Sequence, residues 1–400
     1  MHPVFIYDAI RTPRGKARSD GGLHDLLPHD LLKCLYRHLE QHTGLDPALV
    51  GDVLLGCVTQ HGEQAGNIAK TSTLYAGWPS SIGGMTVNRF CSSSVDAISI
   101  AALKITAGQE QTLVAGGVEM MSRVPMLADQ ASVFVDPAFA AQCRMLMMGS
   151  GADLIATLCG VSREQADAVA LLSQQRADHA RRNGYFSSIV AVPNPVKGIT
   201  VTEDECIRAN ATAESLAALP PAFADLGSKG VDAFQLAEYP ELKAIDHVHT
   251  AGNSPAMADA AALLLLGNEA LGRRIDAAPR ARIVDAATAS DDPLQVLSGC
   301  VAATRKLMAR QNLSAADVDL FELHEAFAAT AIKCQQDLGI PNDKLNVNGG
   351  VIALGHPMGA TGAIMTGTLL DELQRRGLRR GIVAASGAAG AGSALLLEMV

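Results

Sequence analysis

The sequence SVDAISIAALKITA at 94–107, followed by TLVAGG at 112–117, decides how this chain folds. It predicts a helix of small residues and then a strand that ends in glycine. The same order returns about 270 positions further on, as a helix over 361–377 and the strand IVAASG at 382–387. Unrelated βα units also resemble one another, but the ordered repeat favours two related α/β halves.

The stretch between 120 and 250 has a different composition from the rest of the chain. It is rich in methionine at 140–148 and irregular over 193–232, and a capping box at 162–165 opens a long predicted helix. We therefore expect a loop domain at about 121–250, inserted in an N-terminal half that covers 1–270. A C-terminal half is expected over 271–400.

Charge and composition exclude several classes of function. The 400 residues carry 32 basic and 41 acidic side chains, a net charge of −9 at pH 7, so we expect no nucleic-acid binding. No apolar run approaches the ~20 residues of a membrane span, and no signal-peptide pattern is found at the N-terminus. The 8 cysteines form no C-x-x-C pair and are expected to be reduced thiols of a cytoplasmic protein.

Cys91 is a candidate nucleophile because of its place in the predicted structure. It lies in MTVNRFCSSS at 85–94, between a predicted strand and the predicted start of a serine-capped helix. Free backbone N–H groups and the positive end of the helix dipole favour the thiolate and predict a lowered pKa. The alternative is a small buried cysteine at a strand end, and the residues alone leave both interpretations open.

Two of the 11 histidines lie in unusual surroundings. His356 belongs to NGGVIALGHPMGATG at 348–362, where Thr361 is expected to cap the next helix. His324 ends a predicted strand over 318–323 and opens a predicted helix over 325–337. A single histidine is more often structural than catalytic. Both of these, however, are predicted at the carboxyl ends of strands, where open α/β sheets place their sites. No dinucleotide, P-loop or metal-binding motif is present, so we expect no metal.

Several motifs in the same order resemble those of the thiolases, the acetyl-CoA acyltransferases of fatty-acid degradation and related pathways. They are VNRFCSSS at 87–94, HEAFA at 324–328, and NVNGG with GHPMG at 346–350 and 355–359. The resemblance covers essentially the whole chain. It implies an α/β fold with a five-layer αβαβα core, and a homodimer or homotetramer. Acyl-CoA and coenzyme A are then substrates, no cofactor is bound permanently, and another β-oxidation enzyme is a candidate partner.

The resemblance also assigns roles to individual residues. Cys91 takes the acyl group, and His356 deprotonates it and helps to form an oxyanion hole. His324 stands where many thiolases have asparagine, and it holds a water in that hole. The backbone N–H groups of Cys91 and Ala388 are further oxyanion donors, provided that the local φ suits alanine.

Coenzyme A contacts are implied in the same way. Arg208 matches the loop-domain arginine near the adenine and phosphate of coenzyme A. Ser215, Phe223 and Ala251 match positions that line the nucleotide and the pantetheine. Arg208 would supply a local positive charge in a chain that is acidic as a whole.

Ser386 departs from the family pattern. Thiolases have a second catalytic cysteine here, which takes the α-proton in condensation and activates coenzyme A in thiolysis. A serine hydroxyl ionises at least ~4 units above the ~8.5 of a thiol, a difference of about 5 kcal/mol. Pro255 and Ala260 also differ from the family pattern, and these clustered departures favour natural divergence over an engineered change.

Three functional hypotheses therefore remain from the sequence. The first is a thiolase that forms or cleaves a 3-oxoacyl-CoA through an acyl-Cys91 intermediate, with altered proton transfer at Ser386. The second keeps Cys91, His324 and His356 but uses them for decarboxylative condensation, acyl transfer or thioester hydrolysis without the second base. The third is a non-catalytic subunit that binds coenzyme A esters.

Overall fold

The computed structural model describes residues 2–400, and its strands and helices alternate along the chain. The strands are β1 (Val4–Arg11), β2 (Gly15–Lys16), β3 (Asp52–Gly56), β4 (Met85–Val87), β5 (Thr112–Met120), β6 (Val192–Asn194), β7 (Ile199–Val201), β8 (Ala258–Gly267), β9 (Ala281–Ser290), β10 (Leu320–Leu323), β11 (Arg380–Ser386) and β12 (Ala391–Met399). The helices are α1 (Pro28–Thr43), α2 (Ile68–Ala76), α3 (Ser93–Thr106), α4 (Ser132–Val135), α5 (Pro137–Gln142), α6 (Met148–Cys159), α7 (Arg163–Arg182), α8 (Ala213–Ala217), α9 (Ala224–Leu226), α10 (Asp232–Glu238), α11 (Glu269–Ile275), α12 (Gly299–Arg310), α13 (Ala328–Leu338), α14 (Val351–Leu354) and α15 (Thr361–Arg376).

The main sheet contains the predicted repeat. Its order is β10-β11-β12-β9-β1-β8-β5-β3-β4, with β2 paired to β8. In one half, β1 and β8 and then β8 and β5 are antiparallel, whereas β5 and β3 are parallel. The strands β9, β12, β11 and β10 repeat the same directions in the other half. The expectation of two similar halves is confirmed.

The two half-sheets meet along a short seam. β1 pairs with β9 only through Val4, Phe5 and Ile6. The helices α3 and α15 pack against each other between the halves, and α15 contacts strands on both sides. The seam is further closed by Ser94 Oγ, which accepts a hydrogen bond from the Ala363 N–H at 2.9 Å.

Alternating side chains of β8 point into two different hydrophobic layers, one on each face of the sheet. Leu264 and Leu266 face the central cluster with α3 and α15, whereas Leu263 and Leu265 face the outer cluster with α1. In the other half, the outer face of the sheet packs on α12 and Cys334 of α13. The order of layers is helix, sheet, paired helices, sheet and helix, as the αβαβα expectation requires.

The inserted segment between β5 and β8 carries α4 to α10 and the two-stranded β6–β7 sheet. Its long helix α7 begins after the predicted capping box, in which Ser162 and Gln165 bond each other's backbone. The predicted division at residue 270 stays a prediction. Among residues 2–400, no helix has the length and apolar character needed to cross a membrane.

Two local predictions near the candidate site are wrong. α13 begins at Ala328 rather than Glu325, because Phe327 is extended, with φ −159°. The serines after Cys91 do not cap α3 with their side chains. Ser92 Oγ instead donates to the Ala385 carbonyl at 2.6 Å, a contact that ties the start of α3 to the end of β11.

The turn between β11 and β12 contains one strained backbone position. Ala389 has φ 58°, in the left-handed region, whereas Ala388 does not have a positive φ. The backbone at Ala388 therefore suits alanine, as the expected role of its N–H group as an oxyanion donor requires. The left-handed conformation costs an L-residue roughly 1–2 kcal/mol, which glycine avoids.

We expect Ala389→Gly to stabilise the protein by about 1 kcal/mol, because the relief of strain exceeds the added entropy of the unfolded chain. The free energy of unfolding from equilibrium denaturant titration measures this. Ala388→Gly is the matched control and should destabilise by about 0.5–1 kcal/mol. Equal effects of the two substitutions would contradict the assignment of strain to Ala389.

Candidate active site

Cys91 lies in the short connection between β4, which ends at Val87, and α3, which begins at Ser93. The preceding residue, Phe90, has φ 49°, an uncommon value that bends the chain immediately before the thiol. The side chain of Cys91 remains partly accessible. The connection therefore presents the sulfur at the carboxyl end of the strand.

His356 is the immediate partner of this thiol. Its Nε2 lies 3.1 Å from Cys91 Sγ, and its Nδ1 lies 2.8 Å from Thr361 Oγ1. With the proton on Nδ1, donated to Thr361, Nε2 accepts a hydrogen bond from the thiol. Thr361 was predicted to cap the following helix, but its hydroxyl orients the imidazole and makes no cap bond.

His324 lies beside His356, with the ring centroids 4.4 Å apart. It is 1% exposed, and its Nδ1 donates to the Ser386 carbonyl oxygen at 3.2 Å. Since a carbonyl only accepts, this contact places the proton on Nδ1 and leaves a lone pair on Nε2. Within residues 2–400, that buried Nε2 has no hydrogen-bond partner.

Packing of the surrounding chain shifts the pKa of each of the three groups in favour of its neutral form. It raises the pKa of Cys91 to about 12, with a further contribution from the Glu119 carboxylate. Burial lowers the pKa of His324 to about 4 and that of His356 well below its usual value. The predicted lowering of the Cys91 pKa is wrong, because desolvation outweighs the start of α3.

We expect alkylation of Cys91 by iodoacetamide to accelerate about tenfold per pH unit from pH 7 to pH 10, without a plateau. The thiolate is the reacting species, and its fraction keeps rising until the pH reaches the raised pKa. Mass spectrometry of the peptide that contains Cys91 measures the rate. A plateau below pH 9 would show that the thiol ionises readily in the folded protein.

Ser386 approaches the site through its backbone rather than its hydroxyl. The side chain is fully buried at the end of β11. Its Oγ donates to the Leu297 carbonyl at 2.7 Å and accepts from the Cys300 N–H at 3.0 Å, at the start of α12. Its carbonyl, as described above, faces His324. The hydroxyl proton is therefore engaged away from the Cys91–His356 pair.

Comparison with known proteins is consistent with this geometry. The family model of the thiolase N-terminal domain matches residues 4–235, and that of the thiolase C-terminal domain matches 277–399. The chain belongs to the thiolase family.

Named relatives of this thiolase cover its full length. It is 38% identical over 423 residues to the 3-oxoadipyl-CoA/3-oxo-5,6-dehydrosuberyl-CoA thiolase of Escherichia coli K12, with both chains covered completely. It is 37% identical over 409 residues, again with complete coverage, to a 3-ketoacyl-CoA thiolase of Colwellia psychrerythraea. The crystal structure of the Bacillus anthracis acetyl-CoA acetyltransferase superposes with a TM-score of 0.87 at 34% identity, covering 100% of this chain and 99% of that one.

These matches confirm the family, the fold class and the enzyme class expected from the sequence. The thiolase is an acyl-CoA C-acyltransferase. Family membership does not decide the roles of the individual site residues.

The residues expected to contact coenzyme A lie mostly on the accessible side of the inserted segment of the thiolase. Arg208, Ser215 and Ala251 are exposed and Phe223 is partly buried. The chain next to Phe223 meets the chain next to Ala251, since the Ala222 N–H donates to the His249 carbonyl at 2.8 Å. Leu216 of α8 also packs in one cluster with Val248. Ser215, which lies on α8, therefore shares one region with Phe223 and Ala251.

Arg208 and Ser215 are engaged locally rather than with each other. The Arg208 N–H donates to Gln174 of α7 at 2.7 Å, and its guanidinium is exposed. Ser215 forms a capping box with Thr212, so its hydroxyl is already used at the start of α8. Of the two, Arg208 retains the free charge that a phosphate requires.

Two buried carboxylates that hold the site were missed in the sequence. Glu325 accepts from Ser173 Oγ at 2.8 Å and from Asn346, and so fixes the backbone that follows His324. Glu119 accepts from the Gly359 N–H at 2.9 Å and from Val58, joining the His356 loop to β3. The available signals in the sequence were the acidic residue of the HEAF motif, Glu325, and the acidic residue that follows GGV at 116–118, Glu119.

An apolar cluster lies next to the reactive groups of the thiolase. Phe223 and Phe327 pack edge to face with centroids 5.8 Å apart, and the cluster also contains Phe90, Ala388 and Met145. Such a lining excludes water and strengthens electrostatic interactions inside the site. The histidines, cysteines and carboxylates of residues 2–400 form no group arranged to hold a metal ion.

Proposed function

We propose that this thiolase forms or cleaves a 3-oxoacyl-CoA through an acyl-Cys91 intermediate. The supporting observation is the 3.1 Å contact between Cys91 Sγ and His356 Nε2, made by residues of opposite halves. A nucleophile next to a base that is itself oriented by a third group is the arrangement that covalent catalysis requires. Here the third group is Thr361.

In the cleavage direction, Cys91 attacks the 3-oxo carbon as its proton passes to His356 Nε2. Both groups are neutral at rest, so the transfer accompanies the attack and does not precede it. The bond between C2 and C3 then breaks, and its electron pair stays on the departing acetyl-CoA as an enolate. The proton on His356 Nε2 then passes to C2, which releases acetyl-CoA and leaves the acyl group on Cys91.

The second step transfers the acyl group to coenzyme A. The thiol of coenzyme A gives its proton to His356 Nε2 and attacks the acyl-Cys91 carbonyl. The bond from carbon to Cys91 Sγ breaks, and the sulfur recovers a proton from His356. In the reverse direction the same groups join acetyl-CoA to the acyl-enzyme.

His324 is proposed to act through a water molecule. Its Nδ1 proton is held by the Ser386 carbonyl, so its Nε2 is restricted to accepting a hydrogen bond. A water bound there keeps its second hydrogen for the oxyanion. His324 therefore positions a donor without being one, which accords with its pKa of about 4.

The developing oxyanions are assigned to two sets of donors. Protonated His356 and the water on His324 serve one, and the N–H groups of Cys91 and Ala388 serve the other. Ala388 avoids a left-handed φ, so alanine is tolerated at a position where the family has glycine. Fixed donors of this kind lower a barrier by about 3–4 kcal/mol each.

The experiment is to incubate the protein with acetoacetyl-CoA, first alone and then with coenzyme A, and to measure intact mass. We expect an acetyl adduct on Cys91 and its release by coenzyme A. Absence of the adduct would overturn the proposal and leave the non-catalytic, ester-binding subunit. Peptide mapping locates the adduct.

Acyl transfer without a second base is a second candidate, because the Ser386 hydroxyl is bonded to Leu297 and Cys300. Decarboxylative condensation or thioester hydrolysis would need only Cys91, His324 and His356. An adduct that water releases as fast as coenzyme A does would favour this candidate. Faster release by coenzyme A favours the thiolase reaction.

We also propose that Ser386, although poorly placed, marks the position of the second acid/base, and that Arg208, Ser215, Phe223 and Ala251 bind coenzyme A. Coenzyme A and its esters are then substrates, with no cofactor bound permanently. We further place the division between the two halves near residue 270, between β8 and β9.

A homodimer or homotetramer is proposed from the edge of the sheet. β4 is the terminal strand, and the exposed Met85, Leu74 and Tyr75 lie on it or on the adjacent α2. An exposed apolar edge strand is a surface for pairing with another chain. Light scattering tests this. The free cysteines favour the cytoplasm, and a complex with a β-oxidation enzyme stays a prediction.

A further inference from the structure

A cavity of about 340 Å3 lies in the inserted segment, between two stretches of chain. One wall is formed by the region of α4 and α5, including Phe134 and Met145. The other is formed by the segment around α10, including Leu226, Val231 and Phe234. The lining is predominantly apolar, so the cavity suits a hydrocarbon group.

The cavity borders the apolar side chains that lie next to the site of acylation. Phe134, which lines it, packs edge to face on Phe90 with the ring centroids 6.3 Å apart. Phe90 directly precedes Cys91. Met145 lines the cavity and also belongs to the apolar cluster that contains Ala388. These two contacts link the cavity to the chain next to Cys91 and to Ala388 through apolar side chains.

The wall formed by α10 is held in place by buried polar contacts. The fully buried Gln235 donates to the Ser150 carbonyl of α6 at 2.9 Å. His247 lies between Asp232 and Asp153, with contacts of 3.0 Å and 2.8 Å. The cavity is therefore preformed, and little ordering is needed when a chain enters.

The charged residues at its rim are already paired. Lys229 Nζ contacts Asp225 at 2.6 Å, and both side chains are largely exposed. Asp136 caps α5 by accepting from the N–H groups of Ala138 and Phe139. All the lining residues lie within the described 2–400. Among them, no unpaired cation would face a carboxylate at the far end of a substrate chain.

We propose that this cavity binds the uncharged alkyl chain of a medium-chain 3-oxoacyl-CoA, an inference that rests on the proposed function. A methylene is similar in size to a water molecule, whose share of liquid volume is about 30 Å3. The cavity therefore has room for a chain of several such groups. Each buried methylene contributes about fourfold to kcat/KM.

The test compares the second-order rate of Cys91 acylation by acetoacetyl-CoA and by 3-oxodecanoyl-CoA. We expect the longer substrate to react at least tenfold faster. Ala140→Phe places a ring in the cavity and should reduce that preference at least tenfold. Ala138→Phe on the same helix is the matched control, because Ala138 is exposed and outside the lining, and should leave the preference unchanged.

Several results would overturn the inference while leaving the proposed function intact. These are equal rates for both chain lengths, or the same preference in Ala140→Phe and Ala138→Phe. Faster acylation by 3-oxoadipyl-CoA than by 3-oxohexanoyl-CoA, which has the same chain length, would overturn the assignment to an uncharged chain. Loss of acylation by every substrate, acetoacetyl-CoA included, would instead overturn the proposed function, and this inference with it.

Discussion

Cys91→Ala is expected to abolish acylation and to lower thiolysis of acetoacetyl-CoA to the rate of the buffer, a loss of at least about 10⁴-fold. The thiol lies 3.1 Å from His356 Nε2 and can form a thioester with the acyl group. Coupled absorbance assays give the rate, and intact mass gives the adduct.

The first control for this substitution is to verify that the variant is still folded. Cys91 is partly accessible and the removed sulfur leaves little space, so the circular dichroism spectrum and the unfolding midpoint should change little. Cys143→Ala removes an exposed cysteine of the inserted segment and should retain full acylation. An adduct that persists in Cys91→Ala would place the nucleophile at another residue.

Ser386→Cys is expected to raise the rate of thiolysis by up to about a thousandfold. The gain follows from the acidity of the side chain, since a thiol reaches its anion about 5 kcal/mol more easily than a hydroxyl at neutral pH. Sulfur also forms weaker hydrogen bonds than oxygen, so the contacts to Leu297 and Cys300 would hold it less firmly.

Ser386→Ala separates acid/base chemistry from packing. It removes the hydroxyl but keeps the carbonyl that fixes His324, so the rate of Cys91 acylation should be nearly unchanged. If Ser386→Cys were no faster than the parent protein, position 386 would not transfer the proton. The engaged hydroxyl would then be structural, and the second candidate function would be favoured.

The large elements were predictable because local sequence determines them. The helix over Ser93–Thr106 and the strand Thr112–Met120 follow from their small and apolar residues, and the repeat of this pair predicted the two halves. β8 is buried on both faces, so its sequence is continuously apolar from Ala260 to Leu266 and gives no sign of which side chain faces which layer.

The reactive pair could be predicted only from the family resemblance. Cys91 and His356 are 265 residues apart, and no spacing rule relates them. The protonation state of each group was even harder to predict from the sequence. The pKa of Cys91 depends on how far the packed halves exclude water, which the serines after it do not disclose.

The protonation of His324 was hidden for a similar reason. Its tautomer is set by a backbone carbonyl of Ser386, and every residue type carries a carbonyl. The direction of the Ser386 hydroxyl depends on Leu297 and Cys300, which arrive from another part of the chain. Contacts of this kind become visible only once the fold brings distant segments together.

The narrow seam between β1 and β9 has a consequence for samples under mild chaotropic stress. If the two halves drift apart, Cys91 loses His356, and turnover stops. The freed sulfur also regains water, so its acidity returns toward that of an ordinary thiol and electrophiles modify it faster. Inactivation and hyper-reactivity would thus arise together.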